Sequence, residues 1–199
     1  MNKILITGSS GLLGSYLKTK IKSKKFRIIK FNRNKTSDFS NYRFCETYLK
    51  KNKFDSIINL SAITDVDKCE KNKSLARKGN FILIKNICKT IKKLNLKTHI
   101  IHLSTDQFYN NFLSNYEKKN KCINYYTKTK LMAEKVCLKN NSTILRTNFV
   151  GKSKNKKRSS FSDWIYQNLT KKQNIFLADD ILFSPLSIKS ISSLIKLIL

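Results

Sequence analysis

The sequence predicts an α/β protein with a doubly wound, mostly parallel sheet and helices on both of its faces. Short apolar segments alternate along the chain with longer segments whose apolar residues recur at helical spacing. A cluster of glycines follows the first apolar segment directly. A chain of 199 residues, 40% of them hydrophobic, is long enough to bury one independent core.

Five near-continuous apolar segments predict strands that are buried on both faces of a parallel sheet. These segments are Lys3–Thr7, Arg27–Phe31, Ser56–Leu60, Thr98–Leu103 and Thr143–Thr147. Four predicted helices alternate with them: Leu12–Ser23, Tyr42–Lys53, Ser74–Leu94 and Tyr125–Lys139. Beyond Gly151 the pattern predicts a helix near Phe161–Thr170, a short strand near Ile175–Leu177 and a final helix from about Ile188.

The chain is strongly basic, since 41 Lys and Arg residues against 12 Asp and Glu residues give a formal charge of +29. A positive excess of this size attracts phosphates and anionic surfaces. Arginine, which proteins prefer for bidentate recognition of phosphates and bases, supplies only 6 of the 41 cations. The charge is also spread along the chain, with its densest run at Lys152–Arg158. Nucleic acid is therefore not expected as a partner.

Cysteine usage and the chain termini predict a cytoplasmic protein without a membrane partner. The five cysteines form no Cys-x-x-Cys pair and no histidine cluster accompanies them, which predicts reduced thiols and no metal site. His99 and His102 lie in an apolar segment and read as strand residues rather than ligands. The N-terminal apolar segment is interrupted by Gly8–Gly11 without a cleavage site, and Ile191–Leu199 is too short to span a bilayer.

A dinucleotide-binding fingerprint follows the first predicted strand, where residues 8–14 read GSSGLLG. Gly8 permits the tight turn, Gly11 lets the backbone approach a pyrophosphate, and Gly14 lets the helix pack close to the strand. The start of the helix supplies free N–H groups and a positive dipole end for phosphates. The motif predicts a Rossmann-type site for a nicotinamide dinucleotide.

The end of the second predicted strand favours NADPH over NADH. An acidic residue at this point would accept hydrogen bonds from the adenosine ribose of NAD. The chain has Asn32 and Arg33 instead. A guanidinium without a neighbouring acid tolerates a 2′-phosphate, so NADPH is the expected cofactor and NADH remains an alternative.

Candidate catalytic residues follow the fourth predicted strand. The sequence contains two Tyr-x-x-x-Lys pairs, Tyr16/Lys20 and Tyr126/Lys130, so the spacing alone does not select one. Tyr126 begins a helix shortly after a strand that ends in Ser104-Thr105-Asp106, where open α/β sheets bind ligands. The pair predicts that the Lys130 ammonium lowers the phenol pKa and that the Thr105 hydroxyl bonds the reacting oxygen beside Tyr126.

Taken together, these motifs resemble an extended short-chain dehydrogenase/reductase, and specifically the dTDP-4-dehydrorhamnose reductase family. The matching segments run in the family's order along nearly the whole chain: ITGSSGLLG, DFSN, FDSIINLSAITDVDKCE, HLSTD, YTKTKLMAEK, ILRTNFVG and ILFSPLSI. Seven of the 12 acids stand where the family pattern has acids, namely Asp38, Asp55, Asp65, Asp67, Glu70, Asp106 and Glu134.

The resemblance implies reduction of a 4-keto group on a dTDP-activated 6-deoxy sugar, as in dTDP-rhamnose and polysaccharide biosynthesis. It implies that Tyr126 protonates the developing alkoxide, that Lys130 also holds the nicotinamide ribose, and that Thr105 polarises the ketone. The cofactor residues that it implies are Gly11, Leu12 and Leu13 at the pyrophosphate, Asp38 and Phe39 at the adenine, and Ser61, Ala62 and Ile63 after the Ser56–Leu60 strand. The substrate residues that it implies are Thr105, Asp106 and Phe149.

The chain departs from the family at three points. Phe149 stands where the family usually has Trp, and Gln107 stands where sugar-nucleotide dehydratases carry Glu, which argues against elimination chemistry. Family members are longer, so the expected organisation is a dinucleotide-binding domain over residues 1–150 and a partial substrate-binding region over residues 151–199. The expected partners are a nucleotide sugar and either a second copy or a completing chain. The alternatives are another reductase or epimerase on the same scaffold, a non-catalytic NADP-binding subunit, and a truncated inactive homologue.

Overall fold

A computed structural model describes residues 1–21, 23–34, 36–109, 117, 121–153, 160–177 and 184–199. Most of the basic run Lys152–Arg158 lies outside these residues. The strands are β1 (Asn2–Thr7), β2 (Phe26–Phe31), β3 (Ser56–Asn59), β4 (His99–Leu103), β5 (Ser142–Leu145), β6 (Phe149–Val150) and β7 (Leu186–Ser187). The helices are α1 (Leu12–Lys20), α2 (Tyr42–Lys51), α3 (Val66–Lys71), α4 (Lys73–Arg77), α5 (Leu83–Lys93), α6 (Tyr125–Cys137), α7 (Phe161–Thr170) and α8 (Ile188–Ile198).

The central sheet has five strands in the order β2-β1-β3-β4-β5, and every neighbouring pair is parallel. This confirms the doubly wound fold class. From β1 the chain first adds β2 on one side and then β3, β4 and β5 on the other, so β1 and β3 flank the topological switch point. Open α/β sheets bind ligands at such a point, beyond the carboxyl ends of the strands. The loops that follow β1, β3 and β4 therefore form the edge of the sheet where a site is expected.

Alternate residues of each strand enter two separate cores, because side chains along a strand point to opposite faces. On one face Leu5, Ile57 and Ile100 pack with α2, α5 and α6. On the other face the intervening strand residues pack with Leu13 and Leu17 of α1 and with α8. Helix α8 thus belongs to the core of the sheet, although it lies within the segment 151–199.

The structure differs from the sequence prediction in several elements, among them β6 and β7, which were not predicted. The predicted helix Ser74–Leu94 is divided into α4, a π-helical turn over Lys78–Ile82 and α5. Short helix α3 was not predicted; it begins where the Asp65 side chain accepts a hydrogen bond from the Lys68 N–H. The strand predicted near Ile175–Leu177 is wrong, because this segment pairs with no other strand and Phe176 is 95% exposed. Strand β7 pairs with β6 instead.

Helix α7 is the least packed of the long helices, since none of its residues is buried. Its bounds match the sequence prediction, and a reciprocal capping box between Ser160 and Asp163 fixes its first turn. Within the described ranges, no helix is both long enough and apolar enough to cross a bilayer.

Candidate active site

A cleft of about 460 Å³ opens at the carboxyl ends of β1, β3 and β4. The glycine turn forms one wall, the ends of β4 and α6 form another, and the starts of β6 and α7 complete it. The predicted site residues that line the cleft are Gly8, Gly11, Leu12, Leu13, Gly14, Ala62, Thr105, Asp106, Tyr126, Lys130 and Phe149. Cofactor, substrate and catalytic candidates from distant parts of the sequence therefore share one cavity.

The glycine turn admits side chains at neither its first nor its third glycine. Gly8 has φ +66°, and a Cβ there would lie 2.8 Å from the Leu60 carbonyl carbon. A Cβ on Gly14 would lie 2.5 Å from the Gly8 carbonyl oxygen. Helix α1 consequently begins directly against the turn, as the fingerprint requires.

The start of α1 is suited to an anion. The N-cap residue Gly11 makes no side-chain capping bond, and no acidic residue lies in the first turn. The first N–H groups of a helix have no intrahelical acceptor and carry the positive end of the helix dipole. With the glycine cradle, this helix end fits the pyrophosphate of a dinucleotide.

Tyr126 lies on the cleft wall with only 6% of its surface exposed. Its hydroxyl makes a hydrogen bond with the Thr105 side chain. Burial raises the pKa of the phenol to about 12, and the bond to Thr105 only partly offsets this. The sequence had predicted a pKa lowered by Lys130, so the direction found is the opposite.

Burial is the chief cause of the raised phenol pKa, and the Lys130 ammonium is not among the groups that shift it. The Lys130 Nζ donates a hydrogen bond to the Leu103 carbonyl oxygen at 2.6 Å and is buried. Burial lowers the pKa of Lys130 to about 8, although the Glu134 carboxylate acts in the raising direction. The ammonium therefore ties α6 to β4 beneath the cleft.

Substrate candidates flank this pair. Asp106 follows Thr105 on the cleft wall, and burial raises the pKa of its carboxyl group. Phe149 begins β6 and faces the same cavity, with its ring half-buried. The other Tyr-x-x-x-Lys pair lies outside the cleft, where the Lys20 ammonium sits 5.6 Å from the Tyr16 ring centre on α1.

The loop after β3 is held by a residue that the sequence analysis missed. Asn80, in the π-helical turn, accepts a hydrogen bond from the Ile63 N–H at 2.7 Å and donates to the Ile63 carbonyl at 3.1 Å. Its amide also bonds the Thr129 hydroxyl on α6. Ile63 and Ser61 do not line the cleft themselves, whereas Ala62 between them does. The π turn, which no sequence periodicity predicted, brings Asn80 to this loop.

Of the residues expected around the adenine, some are exposed at the surface and one is buried in the core. Asn32 and Arg33 are exposed after β2, and Asn32 accepts a hydrogen bond from Ser9 of the glycine turn at 2.9 Å. The Asp38 carboxylate lies 4.0 Å from Arg33 Nε and 3.7 Å from Lys78 Nζ. Lys78 is a second cation at this position that the motif analysis did not identify.

Phe39 does not reach the surface. Its ring is fully buried, with its centre 4.2 Å from that of Phe31. Its carbonyl oxygen accepts a hydrogen bond from the Asn86 side chain. The sheet core therefore takes this aromatic side chain, and a place for Phe39 beside an adenine stays a prediction.

Comparison with known proteins identifies the family. The family model described as RmlD substrate binding domain matches residues 1–199. The chain belongs to this family. The spore coat polysaccharide biosynthesis protein SpsK of Bacillus subtilis is 25% identical over 206 residues, which cover 99% of this chain and 70% of that protein.

Solved structures show the same fold over seven-tenths of their length. A dTDP-4-dehydrorhamnose reductase from Clostridium acetobutylicum is 27% identical with a TM-score of 0.85, and the match covers 97% of this chain and 68% of that one. A dTDP-4-dehydrorhamnose reductase from Bacillus anthracis in complex with NADP is 21% identical with a TM-score of 0.88, covering 99% of this chain and 70% of that one. The resemblance seen in the motifs is thus confirmed at the level of family and fold.

Proposed function

We propose that this chain is an NADPH-dependent reductase that acts on the 4-keto group of a dTDP-activated 6-deoxy sugar. The observation that carries the proposal is the meeting of the Tyr126 and Thr105 hydroxyls with the glycine turn in one cleft. The names of the similar proteins point to the same class of reaction, a dTDP-4-dehydrorhamnose reductase among them.

The cofactor, when bound, supplies the hydride that reduces the ketone carbon. Gly8, Gly11 and the first residues of α1 would hold its pyrophosphate, since the cradle has no room for side chains and the helix end has free N–H groups. Arg33 would face the 2′-phosphate, which favours NADPH over NADH. The similar Bacillus anthracis protein is a dTDP-4-dehydrorhamnose reductase in complex with NADP, which supports this cofactor.

Tyr126 would supply the proton. A phenol with a pKa of about 12 is fully protonated at neutral pH, so it can donate its proton to the oxygen that becomes an alkoxide. The Thr105 hydroxyl, bonded to the phenol, would hold the same oxygen and fix its direction. Lys130 uses one N–H on the Leu103 carbonyl and keeps others for the nicotinamide ribose.

The sugar would lie against Asp106 and Phe149. Both residues line the cavity. The Phe149 ring offers an apolar face to the sugar without the N–H that a Trp would add. We assign residues 1–150 to cofactor binding and residues 151–199 to the start of a substrate-binding region, with α8 serving the sheet core.

A binding titration and a turnover assay test the proposal together. NADPH and NADH are titrated separately onto the purified chain, and loss of NADPH is then followed with a dTDP-4-keto-6-deoxy sugar. Saturable NADPH binding with turnover is expected. Turnover only with a different nucleotide sugar would reassign the substrate, and NADPH binding without turnover of any of them would assign a non-catalytic binding subunit. Failure to bind either cofactor would overturn the proposal.

A further inference from the structure

The end of β4 is joined to α6 at three consecutive residues. The Leu103 carbonyl accepts from Lys130 Nζ, the Ser104 hydroxyl donates to the Glu134 carboxylate, and the Thr105 side chain bonds the Tyr126 hydroxyl. Tyr126, Lys130 and Glu134 are spaced four residues apart, so they lie on one face of the helix. Two of these three contacts belong to the proposed catalytic residues. The third contact, between Ser104 and Glu134, involves neither of the residues proposed to act on the ketone nor the lysine beside them.

Glu134 is a buried ion-pair partner rather than a surface acid. Only 2% of its surface is exposed. Arg146, directly after β5, meets the carboxylate with two nitrogens: Nε lies 3.0 Å from Oε1, and Nη2 lies 2.5 Å from Oε2. A buried carboxylate is stable only when it is paired and hydrogen-bonded, and here Arg146 and Ser104 provide both.

Arg146 also contacts residues that lie further along the loop after β4. Its guanidinium donates to the Tyr109 hydroxyl at 3.3 Å and to the Glu117 carbonyl at 2.7 Å. It also lies over the Phe108 ring, 4.9 Å from the ring centre. Through Ser104 and Arg146, the Glu134 carboxylate therefore holds both ends of the segment that carries Thr105 and Asp106.

Glu134 also acts on the Lys130 ammonium, since the two residues lie one helical turn apart on the same face of α6 and the carboxylate favours the charged lysine. The titratable groups that act on Lys130 within the described part of the chain are Glu134 and Cys137 from α6 and His102 from β4. His102 is fully buried and its Nδ1 bonds the Asn59 amide. Burial and Lys130 lower its pKa well below the usual value, so the imidazole is neutral and adds no charge beside Lys130. The Cys137 thiol is uncharged, since a hydrogen bond with Cys88 of α5 and burial raise its pKa. Glu134 is the carboxyl-bearing residue of this group and is paired with Arg146.

We propose that Glu134 is a positioning residue of this site: its carboxylate fixes Thr105 and Lys130 relative to Tyr126, through Ser104 and as the buried counter-charge of Lys130. This inference rests on the proposed function for its catalytic consequence. The arrangement itself can be tested without turnover. Neither Glu134 nor Arg146 lines the cleft, so Glu134 is expected to act through Ser104 and not by contact with substrate or cofactor.

The first test measures Lys130 in the protein without cofactor. Lysine labelled with ¹³C at Cε is titrated by NMR, and the Lys130 signal is assigned by its absence in Lys130→Met. Removing the Glu134 charge disfavours the ammonium, so Glu134→Gln should move the Lys130 midpoint to lower pH by about one pH unit. Ser104→Ala keeps the charge and should leave the midpoint in place. An unchanged midpoint in Glu134→Gln would overturn the electrostatic part of the proposal.

The second test measures kcat and KM with NADPH and the keto sugar. Ser104→Ala breaks the tie next to Thr105 and should lower kcat about tenfold with little change in the KM for NADPH. Ser142→Ala is the matched control, since that hydroxyl donates to the Cys137 carbonyl at 2.7 Å at the other end of α6. Equal kcat values for the two variants would overturn the positioning part.

The two tests separate the inference from the function that it rests on. A wild-type chain without turnover defeats the proposed function, yet the Lys130 titration still decides the role of the Glu134 charge. Should Glu134→Gln fail to fold, Glu134→Asp is titrated in its place. Its shorter side chain retains the charge, so it should hold the Lys130 midpoint closer to the wild-type value than any neutral residue. A Glu134→Asp midpoint as far below the wild-type value as that of Glu134→Ala would contradict the proposal.

Discussion

Helices α6 and α7 border the same cleft but are built in opposite ways. Helix α6 buries seven of its residues. Its buried polar side chains have partners at the end of β4, directly after β5 and in the π-helical turn. Helix α7 buries none, and its Trp164, Tyr166 and Leu169 side chains are exposed by 39%, 72% and 59%. One wall of the cleft is therefore fixed by tertiary contacts, and the other is held chiefly by its own capping box.

The difference has a consequence for where substitutions should matter. Chemistry requires side chains that are held within a fraction of an ångström, and buried, fully bonded groups provide this. Apolar side chains that stay exposed to water contribute little to the free energy of folding of the described chain, because the stabilisation comes from burying apolar surface. The predictions below compare the two walls, beginning with the largest expected effect.

Replacing Tyr126 by Phe removes the proposed proton donor while keeping the ring in its buried place. We expect kcat to fall by about 10²- to 10⁴-fold with little change in the Kd for NADPH. The assay is NADPH loss with the keto sugar. Tyr16→Phe, in the other Tyr-x-x-x-Lys pair, is the control and should retain wild-type turnover. Equal turnover in both variants would remove the proton-donor role from Tyr126.

Gly14→Ala tests the close contact between α1 and the glycine turn. A Cβ 2.5 Å from the Gly8 carbonyl oxygen forces the helix to move, which should cost about 1–3 kcal/mol of unfolding free energy and weaken NADPH binding. Urea denaturation and NADPH titration measure the two effects. Thr19→Ala, at an exposed position of the same helix, should change neither. A Gly14→Ala protein as stable as wild type would mean that the turn is looser than described.

Lys78→Gln tests the second cation at the predicted adenine end. Lys78 and Arg33 lie on either side of Asp38, so their two charges outweigh its one and favour a 2′-phosphate. We expect the Kd for NADPH to rise about fivefold and the Kd for NADH to stay unchanged, with the difference shrinking as salt is added. Lys92→Gln, on an exposed position of α5, is the control. A similar loss for both cofactors would show that Lys78 does not select the phosphate.

Leu169→Ala should have the smallest effect, because that side chain is already exposed on α7. We expect the unfolding free energy to change by less than about 0.5 kcal/mol. The same substitution at Leu49 of α2, which is 1% exposed, should cost about 2–5 kcal/mol. Urea denaturation compares the two. A large loss at Leu169 would indicate that the α7 face is covered in solution, and measurement of the molecular mass would then identify a second copy.

The sequence by itself determined the fold class, the five parallel strands, the glycine turn and the placement of Tyr126, Lys130 and Thr105 on one cleft. These follow from local patterns: the period of apolar residues, glycines after a strand, and hydroxyls at a strand end. Tertiary structure alone decided that Lys130 bonds the Leu103 carbonyl, that Phe39 enters the core, and that Glu134 joins Ser104 to Arg146. The physical reason is that burial and hydrogen bonding between residues far apart in the chain set these partners and their pKa values. The local spacing of apolar and polar residues in the sequence carries no information about such contacts.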